Sequence, residues 1–210
     1  MATPRRVGSE TSNTHGQLLD AVERLLVTKG YAAVTYRAVA AEVGITSGSV
    51  QYHFPALDDL LVATIRRRTD QSLEHLLELL QARSEQPLRV LWEFSNDETA
   101  AALTMELSAL AHHRPSVRDE IRNHTKRLRD VQLGALSTAR LPDGDDAVPP
   151  AALLFLLSGI PKLVRMEEDF DVATGHPEIV ELVEAYLDRV EPLSSPKRRT
   201  SAKRTTRPRR

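Results

Sequence analysis

Residues 34–54 read VTYRAVAAEVGITSGSVQYHF and carry the same helix-start signal twice. In each copy a threonine, Thr35 or Thr46, follows an aliphatic residue and precedes a short amphipathic segment. A threonine side chain can accept a hydrogen bond from a free N–H of the first helical turn, and the aliphatic residue before it can pack back onto the helix. A glycine between the copies suits the left-handed conformation that ends a helix. The stretch therefore predicts two short helices, at about 36–43 and 47–53, joined by a tight turn.

The second of these helices has a narrow apolar side and a wide polar side. At about 100° per residue, Val50 and Phe54 fall on the side that faces the neighbouring helices. The other side offers hydroxyls, an amide, a phenol and an imidazole, and Gly48 lets the backbone come close to a partner. A free helix of about seven residues is marginal in water, so its neighbours must hold it. Two short helices of this kind suit insertion of the second one into the major groove of DNA.

The rest of the chain is also predicted to be helical. A first helix is expected at about 15–29, because Thr14 and Gln17 form a capping box ahead of it. Apolar residues at helical spacing, with Pro, Gly and Asp between the segments, predict later helices at about 58–83, 87–95, 97–112, 116–139, 149–168 and 176–190. Gly159 and Pro161 should kink or locally unwind the helix in which they lie. No convincing strand alternation appears, so the sequence predicts an all-α protein of about nine helices.

The composition is that of an ordinary globular protein, with 41% hydrophobic and 27% charged residues among 210. There is no cysteine, which excludes disulfides and thiolate metal sites. The N-terminus lacks the apolar core of a signal peptide, and no apolar run is long enough to span a bilayer. We therefore expect a cytoplasmic protein with no membrane association.

The charge is unevenly distributed along the chain. Residues 197–210 hold eight Lys and Arg and no acid, which leaves 20 basic residues against 29 acidic ones elsewhere. A tail so poor in apolar residues cannot offset the entropy of ordering and is expected to be disordered. It is either a solvated terminus or a segment attracted to a polyanion such as nucleic acid.

Residues 14–61 resemble the DNA-binding domain of the tetracycline-repressor (TetR) family. Members share a first helix ending in Gly and an aromatic residue, then T-x-x-x-[IV]-A-x-x-[AV]-G-[VI]-[ST], then a recognition helix reading about G-[ST]-[LVI]-Y-x-[HY]-F. The matching stretches here are GYAAVTYRAVAAEVGITSGSVQYHF and the following PALDDLL. The resemblance implies an N-terminal three-helix helix-turn-helix domain and a larger C-terminal helical domain for ligand binding and dimerisation. The expected division is a flexible basic arm at 1–13, the helix-turn-helix domain at 14–57, the ligand-binding and dimerisation domain at 58–192 and a disordered basic tail at 193–210.

Carried onto this sequence, the family pattern implies DNA contacts from the start of the second helix and from the third. The residues so implicated are Thr35, Arg37, Thr46, Ser47, Gly48, Ser49, Gln51, Tyr52 and His53. Ser47 and Leu57 stand where members often have Lys, and each lost phosphate contact should lower the salt dependence by a slope of about 0.9. Gln51 replaces a frequent Tyr and can pair with adenine. Arg5 and Arg6, ahead of the first helix, could supply the missing cations.

By the same resemblance, the C-terminal domain is expected to hold a cavity for a small, largely apolar effector and to form a homodimer. The dimer would use the helices at about 149–168 and 176–190, and the first half of the former is apolar nearly all round, as expected of a helix buried on two sides. The candidate ligand-binding residues are Trp92, Phe94, Met105, His112, His113, Phe155 and Met166. The implied function is a transcriptional regulator, usually a repressor, that the effector releases from a palindromic operator in double-stranded DNA.

Three other functions compete with this one. No nucleophile elbow, P-loop, H-E-x-x-H or G-x-G-x-x-G motif occurs, so we expect neither an enzyme nor a bound cofactor. A metal-responsive regulator could use His112, His113 and His124, although adjacent histidines on a helix point about 100° apart. A helical protein that binds DNA without sequence preference, through its basic tail, is the remaining alternative.

Overall fold

The computed structural model describes residues 7–97, 106–142 and 147–192, and within these ranges all regular structure is helical. The helices are α1 (Val7–Lys29), α2 (Tyr36–Val43), α3 (Ser47–His53), α4 (Leu57–Ala82), α5 (Pro87–Ser95), α6 (described over 106–111), α7 (Pro115–Thr138), α8 (Pro150–Glu168) and α9 (His176–Val190). A short 3₁₀ turn, Tyr31–Ala33, links α1 to α2. The all-α prediction is confirmed. The predicted cationic arm residues Arg5 and Arg6 and the basic tail at 193–210 lie outside the described residues.

Both predicted threonine caps are present. The Thr35 hydroxyl oxygen accepts a hydrogen bond from the N–H of Ala38 at 3.1 Å, and that of Thr46 accepts one from the N–H of Ser49 at 3.2 Å. Gly44, between the two helices, has φ 78° and ψ 31°, the left-handed conformation in which glycine avoids a Cβ clash. These local signals explain why α2 and α3 begin and end at the predicted residues.

A first hydrophobic core joins α1, α2 and α3 to the N-terminal half of α4. Its members from the two short helices, Val39 and Val50, are fully buried. The same core extends to Leu107 and Leu110 of α6 and to Val117 of α7. The helix-turn-helix unit therefore shares its core with helices that follow much later in the chain.

A second hydrophobic core holds the rest of the helices together. It is built from the C-terminal half of α4 with α5, α7, α8 and α9, and its fully buried side chains include Leu76, Leu91, Leu136, Leu154 and Leu187. Complete burial of one leucine side chain is worth about 1.5–3 kcal/mol relative to exposure. The helical scaffold behind the N-terminal unit is thus a packed bundle.

Two sequence expectations about helix boundaries are wrong. Helix α1 begins at Val7 rather than at 15, so Thr14 lies inside the helix and part of the expected arm is helical. After Pro4 no proline interrupts this segment, so nothing stops the helix from extending backwards from its buried part. Helix α8 continues through Gly159 and Pro161, so the expected unwinding does not occur there. None of the described helices is both long and apolar enough to cross a membrane.

Candidate DNA-binding surface and cavity

Helix α3 presents the faces that the helical wheel predicts. Val50 has no exposed surface and Phe54 is 5% exposed, whereas Tyr52 is 84% exposed. Gln51 and Gly48 are also exposed, and a Cβ built on Gly48 meets only the hydroxyl oxygen of Thr46, at 3.9 Å. The outer side of α3 is therefore open to a large partner along its backbone as well as its side chains.

His53 lies at the edge of this outer side and packs toward α1. Its ring stands edge-on to that of His15, with centroids 5.3 Å apart, and lies 5.5 Å from the ring of Tyr52. His15 in turn contacts the ring of Phe54 at 4.5 Å. Burial lowers the pKa of His15, and the nearby His53 lowers it further. The two histidines thus form part of the wall that holds α3 in position.

The end of α3 is tied to the beginning of α2 by a tyrosine. The Tyr36 hydroxyl donates to the carbonyl oxygens of Phe54 and Pro55, both at 3.0 Å. Burial raises the pKa of Tyr36, with Asp59 and Asp58 adding to the effect, so the phenol keeps the proton that it donates. This contact fixes the angle between the two short helices.

The remaining candidates for DNA contact surround the outer side of α3. Thr35, Arg37 and Thr46 are exposed, while Ser47 and Ser49 are partly buried. The two threonine hydroxyls accept the cap hydrogen bonds, so each keeps its own proton to donate to a phosphate oxygen. Among the described residues Arg37 makes no ion pair and is available as a phosphate ligand. The structure brings all nine sequence-predicted DNA-binding residues to one end of the molecule.

A cavity of about 170 Å³ lies among α4, α5, α6, α7 and α8. Its apolar lining is Ile65, Phe94, Leu107, Ile121 and Leu128, and its ionisable lining is Arg68, Asp97, His124, Arg129 and Lys162. Hydroxyl and amide groups complete the wall. The cavity is therefore amphipathic, with more basic than acidic groups among its described lining.

Of the sequence-predicted ligand residues, Phe94 lines this cavity and the others described do not. Trp92 is buried in the second core, because two residues along α5 turn a side chain about 200° away from Phe94. His112 and His113 are exposed in the turn after α6. The remaining members are Phe155 and Met166, which are exposed on α8, and Met105, which lies outside the described residues.

The basic residues of the cavity were missed from the sequence. On α7, the set Ile121, His124, Leu128 and Gln132 recurs at helical spacing and faces the cavity. Polar members of an otherwise apolar stripe were the available signal. They do not indicate a cavity unless side chains from other helices are known to converge on them.

The helix-turn-helix unit is connected to the later helices by polar contacts at the start of α4. The Asp58 carboxylate accepts a hydrogen bond from the Ser116 hydroxyl at 2.8 Å and pairs with the Arg114 guanidinium. The Ser116 hydrogen bond and the Arg114 pair lower the pKa of Asp58, against the opposing effect of burial. The N-termini of α4 and α7 are thereby joined.

Two further contacts connect the same parts. The Arg66 guanidinium donates to both oxygens of Glu120, at 3.2 and 2.8 Å, and so links α4 to α7. The backbone N–H of Tyr31 donates to the Glu106 carboxylate at 3.0 Å and so links the end of α1 to α6. Movements of α6 or α7 would therefore be transmitted to the DNA-binding helices.

Large apolar side chains are exposed on α8 and α9. These residues, called here the α8–α9 apolar surface, are Phe155, Leu156, Leu163, Met166 and Leu182, and their exposed fractions run from 38% to 66%. An exposed apolar set of this kind is typical of an interface between proteins.

The histidines of the metal alternative do not come together. Within the ranges that the structure describes, no group of three or more His, Asp or Glu is arranged to hold a metal ion. His124 lines the cavity, whereas His112 and His113 lie in the exposed turn after α6.

Comparison with known proteins identifies similar regulators. Residues 18–64 match the family model described as bacterial regulatory proteins, tetR family. The chain is 30% identical over 166 residues to the HTH-type transcriptional regulator CymR of Pseudomonas putida, covering 74% of this chain and 81% of that protein. It is 25% identical over 122 residues to the HTH-type transcriptional regulator TtgR, also of Pseudomonas putida, and this match spans 56% of this chain and 58% of the length of TtgR. The structure of a TetR-family member from Streptomyces coelicolor superposes with a TM-score of 0.55 and 30% identity, covering 85% of this chain and 98% of that one.

Proposed function

Because this chain belongs to the TetR family of bacterial regulatory proteins, we propose that it is a transcriptional repressor that a small molecule releases from its DNA operator. The observation that carries this proposal is the exposed polar side of α3, held in position by the buried Val50 and Phe54. Such a helix supplies donors and acceptors to base edges at little cost in ordering. A cytoplasmic site of action accords with this role.

We assign base contacts to Gln51 and Tyr52, whose side chains are exposed on the outer side of α3. Thr35, Arg37 and Thr46 lie at the starts of the two short helices, where they would bind phosphates and set the orientation on the duplex. Ser47, Gly48, Ser49 and His53 complete the contact surface. In this assignment residues 14–57 carry DNA binding, and residues 58–192 carry effector binding and dimerisation.

The operator is proposed to be palindromic and the protein to be a homodimer. A single α3 reads only a few base pairs, whereas two copies related by a two-fold axis reach successive major grooves about 34 Å apart. The α8–α9 apolar surface supports this, since leaving it in water would forgo the free energy of burying it.

The cavity is the proposed effector site. Leu107 of α6 and Ile121 and His124 of α7 line it, and the same two helices bond to the DNA-binding unit through Glu106 and Glu120. An effector that prefers one arrangement of these helices would change the distance between the two copies of α3. A preference of about 100-fold corresponds to roughly 2.7 kcal/mol of coupling, enough to release the operator.

The test of DNA recognition begins with genomic mapping of bound sites, which yields an operator duplex. Fluorescence anisotropy then compares that duplex with a random one, using the wild type and the double variant Gln51→Ala with Tyr52→Ala. We expect the variant to lose about 1–3 kcal/mol of discrimination per base contact removed, while its binding to random DNA changes little.

The matched control is Gln71→Ala, which removes an exposed glutamine of α4 away from α3. It should retain full discrimination. Unchanged selection between the two duplexes in the double variant would contradict the assignment of α3 as the reading helix.

A further inference from the structure

Three basic side chains from three different helices line the cavity. They are Arg68 of α4, Arg129 of α7 and Lys162 of α8. Among the described lining residues the one carboxylate is that of Asp97, which has another interaction within the protein. The described wall of the cavity therefore carries an excess of positive charge.

These three residues differ from their neighbours in lacking a carboxylate partner. Adjacent arginines are paired at hydrogen-bond distance: Arg66 with Glu120 at 2.8 Å, Arg67 with Glu23 at 2.7 Å and Arg127 with Asp70 at 2.9 Å. Among the described residues Arg68, Arg129 and Lys162 form no ion pair or hydrogen bond, and Arg129 instead lies over the ring of Phe155 at 5.7 Å. The fold thus neutralises the arginines around the cavity and leaves those inside it unneutralised.

The electrostatic environment inside the cavity favours an added negative charge. Burial lowers the pKa of Lys162, and the nearby Arg129 lowers it further. The Nδ1 atom of His124 is buried and has no hydrogen-bond partner among the described residues. Burial, together with Arg127 and Lys162, lowers the pKa of His124, so its imidazole is neutral and can bond to a ligand oxygen. An anion would relieve the repulsion and satisfy this group.

The cavity also limits the size and shape of what it can hold. Its volume of about 170 Å³ is close to that of an apolar cavity that holds benzene, about 150 Å³. Ile65, Phe94 and Leu107 provide an apolar wall beside the cationic one. A molecule with one ring, or a short chain, and a single anionic group fits both properties.

We propose that this cavity binds a small carboxylic acid in its ionised form. The carboxylate lies among Arg68, Arg129 and Lys162, and the hydrocarbon part lies against Ile65 and Phe94. The inference rests on the proposed function, in which the occupant of this cavity is the effector. It narrows the largely apolar effector expected from the sequence to an amphipathic acid.

The test uses the purified full-length chain and isothermal titration calorimetry at neutral pH, where carboxylic acids are ionised. The probes are two matched pairs, phenylacetate with phenylacetamide and hexanoate with hexanamide. Each acid should bind about ten-fold more tightly than its amide, since only the acid offers a charge to the cations. Equal affinity within both pairs, or no detectable binding of either acid at millimolar concentration, overturns the proposal.

Variants locate the binding. Arg129→Gln and Lys162→Gln should each lower acid affinity about ten-fold and amide affinity much less, because they remove charge and keep much of the side-chain volume. Arg122→Gln is the matched control, since this arginine of α7 pairs with Asp119 outside the cavity at 2.9 Å. Circular dichroism melting verifies that each variant is folded. Acid affinity that is insensitive to Arg129 and Lys162 would also overturn the proposal.

Operator release is measured separately, by adding each probe to the protein–DNA complex. If an acid binds and releases the operator, the inference and the proposed function both stand. If it binds in the cavity without releasing DNA, the assignment of the ligand class stands and the effector role of the cavity fails.

Discussion

Thr35 and Thr46 combine a structural contact with a proposed functional one. Each accepts a hydrogen bond from a free N–H at the start of a short helix, and each remains exposed where a phosphate would bind. Because the cap uses the oxygen as an acceptor, the hydroxyl proton is left for DNA. One side chain can therefore orient the recognition helix and bind the duplex.

Replacing Thr46 by alanine should lower the free energy of unfolding by about 1 kcal/mol, because the N–H of Ser49 loses its acceptor. Urea unfolding monitored by circular dichroism measures this. Thr46→Ser keeps the oxygen and should retain most of the stability. Equal losses in the two variants would indicate that the methyl group, and not the cap, stabilises α3.

Asp58 makes stability depend on pH in the acid range. Its pKa is lowered in the folded protein by the Ser116 hydrogen bond and by Arg114, relative to an ordinary value of 3.8. The folded state therefore binds a proton less readily than the unfolded state. The resulting stabilisation is complete above the ordinary pKa and is lost as the pH falls through the lower, folded pKa.

We expect Asp58→Asn to remove this acid dependence and to cost at most about 1 kcal/mol at neutral pH, since the pair is partly exposed to solvent. Urea unfolding at neutral pH and below about pH 4 compares the two proteins. Ser116→Ala, which removes the largest cause of the shift, should have a smaller effect of the same sign. A variant that loses as much stability in acid as the wild type would exclude Asp58 as the source.

At the scale of elements, the ends of helices are satisfied by partners distant in the chain. The Glu191 carboxylate, at the end of α9, accepts hydrogen bonds from the N–H groups of Leu88 and Arg89 at 2.8 and 2.9 Å. These are free donors of the first turn of α5. The Arg89 side chain returns the contact by donating to the Glu191 carbonyl at 3.0 Å. The start of α5 and the end of α9 thus stabilise each other.

Glu191→Ala should destabilise the protein by about 2 kcal/mol, because it leaves two N–H groups without acceptors in a buried position. Differential scanning calorimetry would detect this as a lower Tm. Glu184→Ala, which removes an exposed glutamate of α9, is the control and should have little effect. Similar Tm values for the two variants would refute the capping role of Glu191.

At the scale of the whole molecule, the DNA-binding unit is continuous with the rest of the protein. The first core includes residues of α6 and α7, and Asp58, Arg66 and Tyr31 bond to the same two helices or to the turn between them. Family membership agrees with the resemblance of residues 14–61 and with the expectation that the protein is not an enzyme. The arrangement suits a regulator in which occupation of a cavity changes the position of α3.

The proposed dimer leads to a prediction at this scale. The double variant Leu156→Glu with Leu182→Glu places charges on the α8–α9 apolar surface and should make the protein monomeric while leaving it folded, since both side chains are exposed in the single chain. Sedimentation velocity measures the mass, and operator affinity should fall with it. Leu77→Glu, on α4, is a control at another exposed leucine and should remain dimeric. A double variant of unchanged mass would contradict the assigned interface.

The elements whose signals are local could be predicted from the amino-acid order alone. The threonine caps and Gly44 set α2 and α3, and proline and glycine at segment ends set α5 and α9 at the predicted residues. The outer side of α3 followed from helical periodicity, because a helix this short is oriented by its few apolar residues. The start of α1 was missed because no local signal marks it.

Which side chains meet could be learned only from the packed molecule. Arg68, Arg129 and Lys162 are separated by tens of residues, and each by itself looks like an ordinary charge on a solvated helix. Similarly, Phe155 and Met166 have the composition of cavity residues but lie on the outer surface of α8. The position of a side chain on its helix follows from a period of about 3.6 residues, whereas the surface that it faces depends on how the helices pack. That packing depends on contacts throughout both cores, which no single stretch of the chain contains.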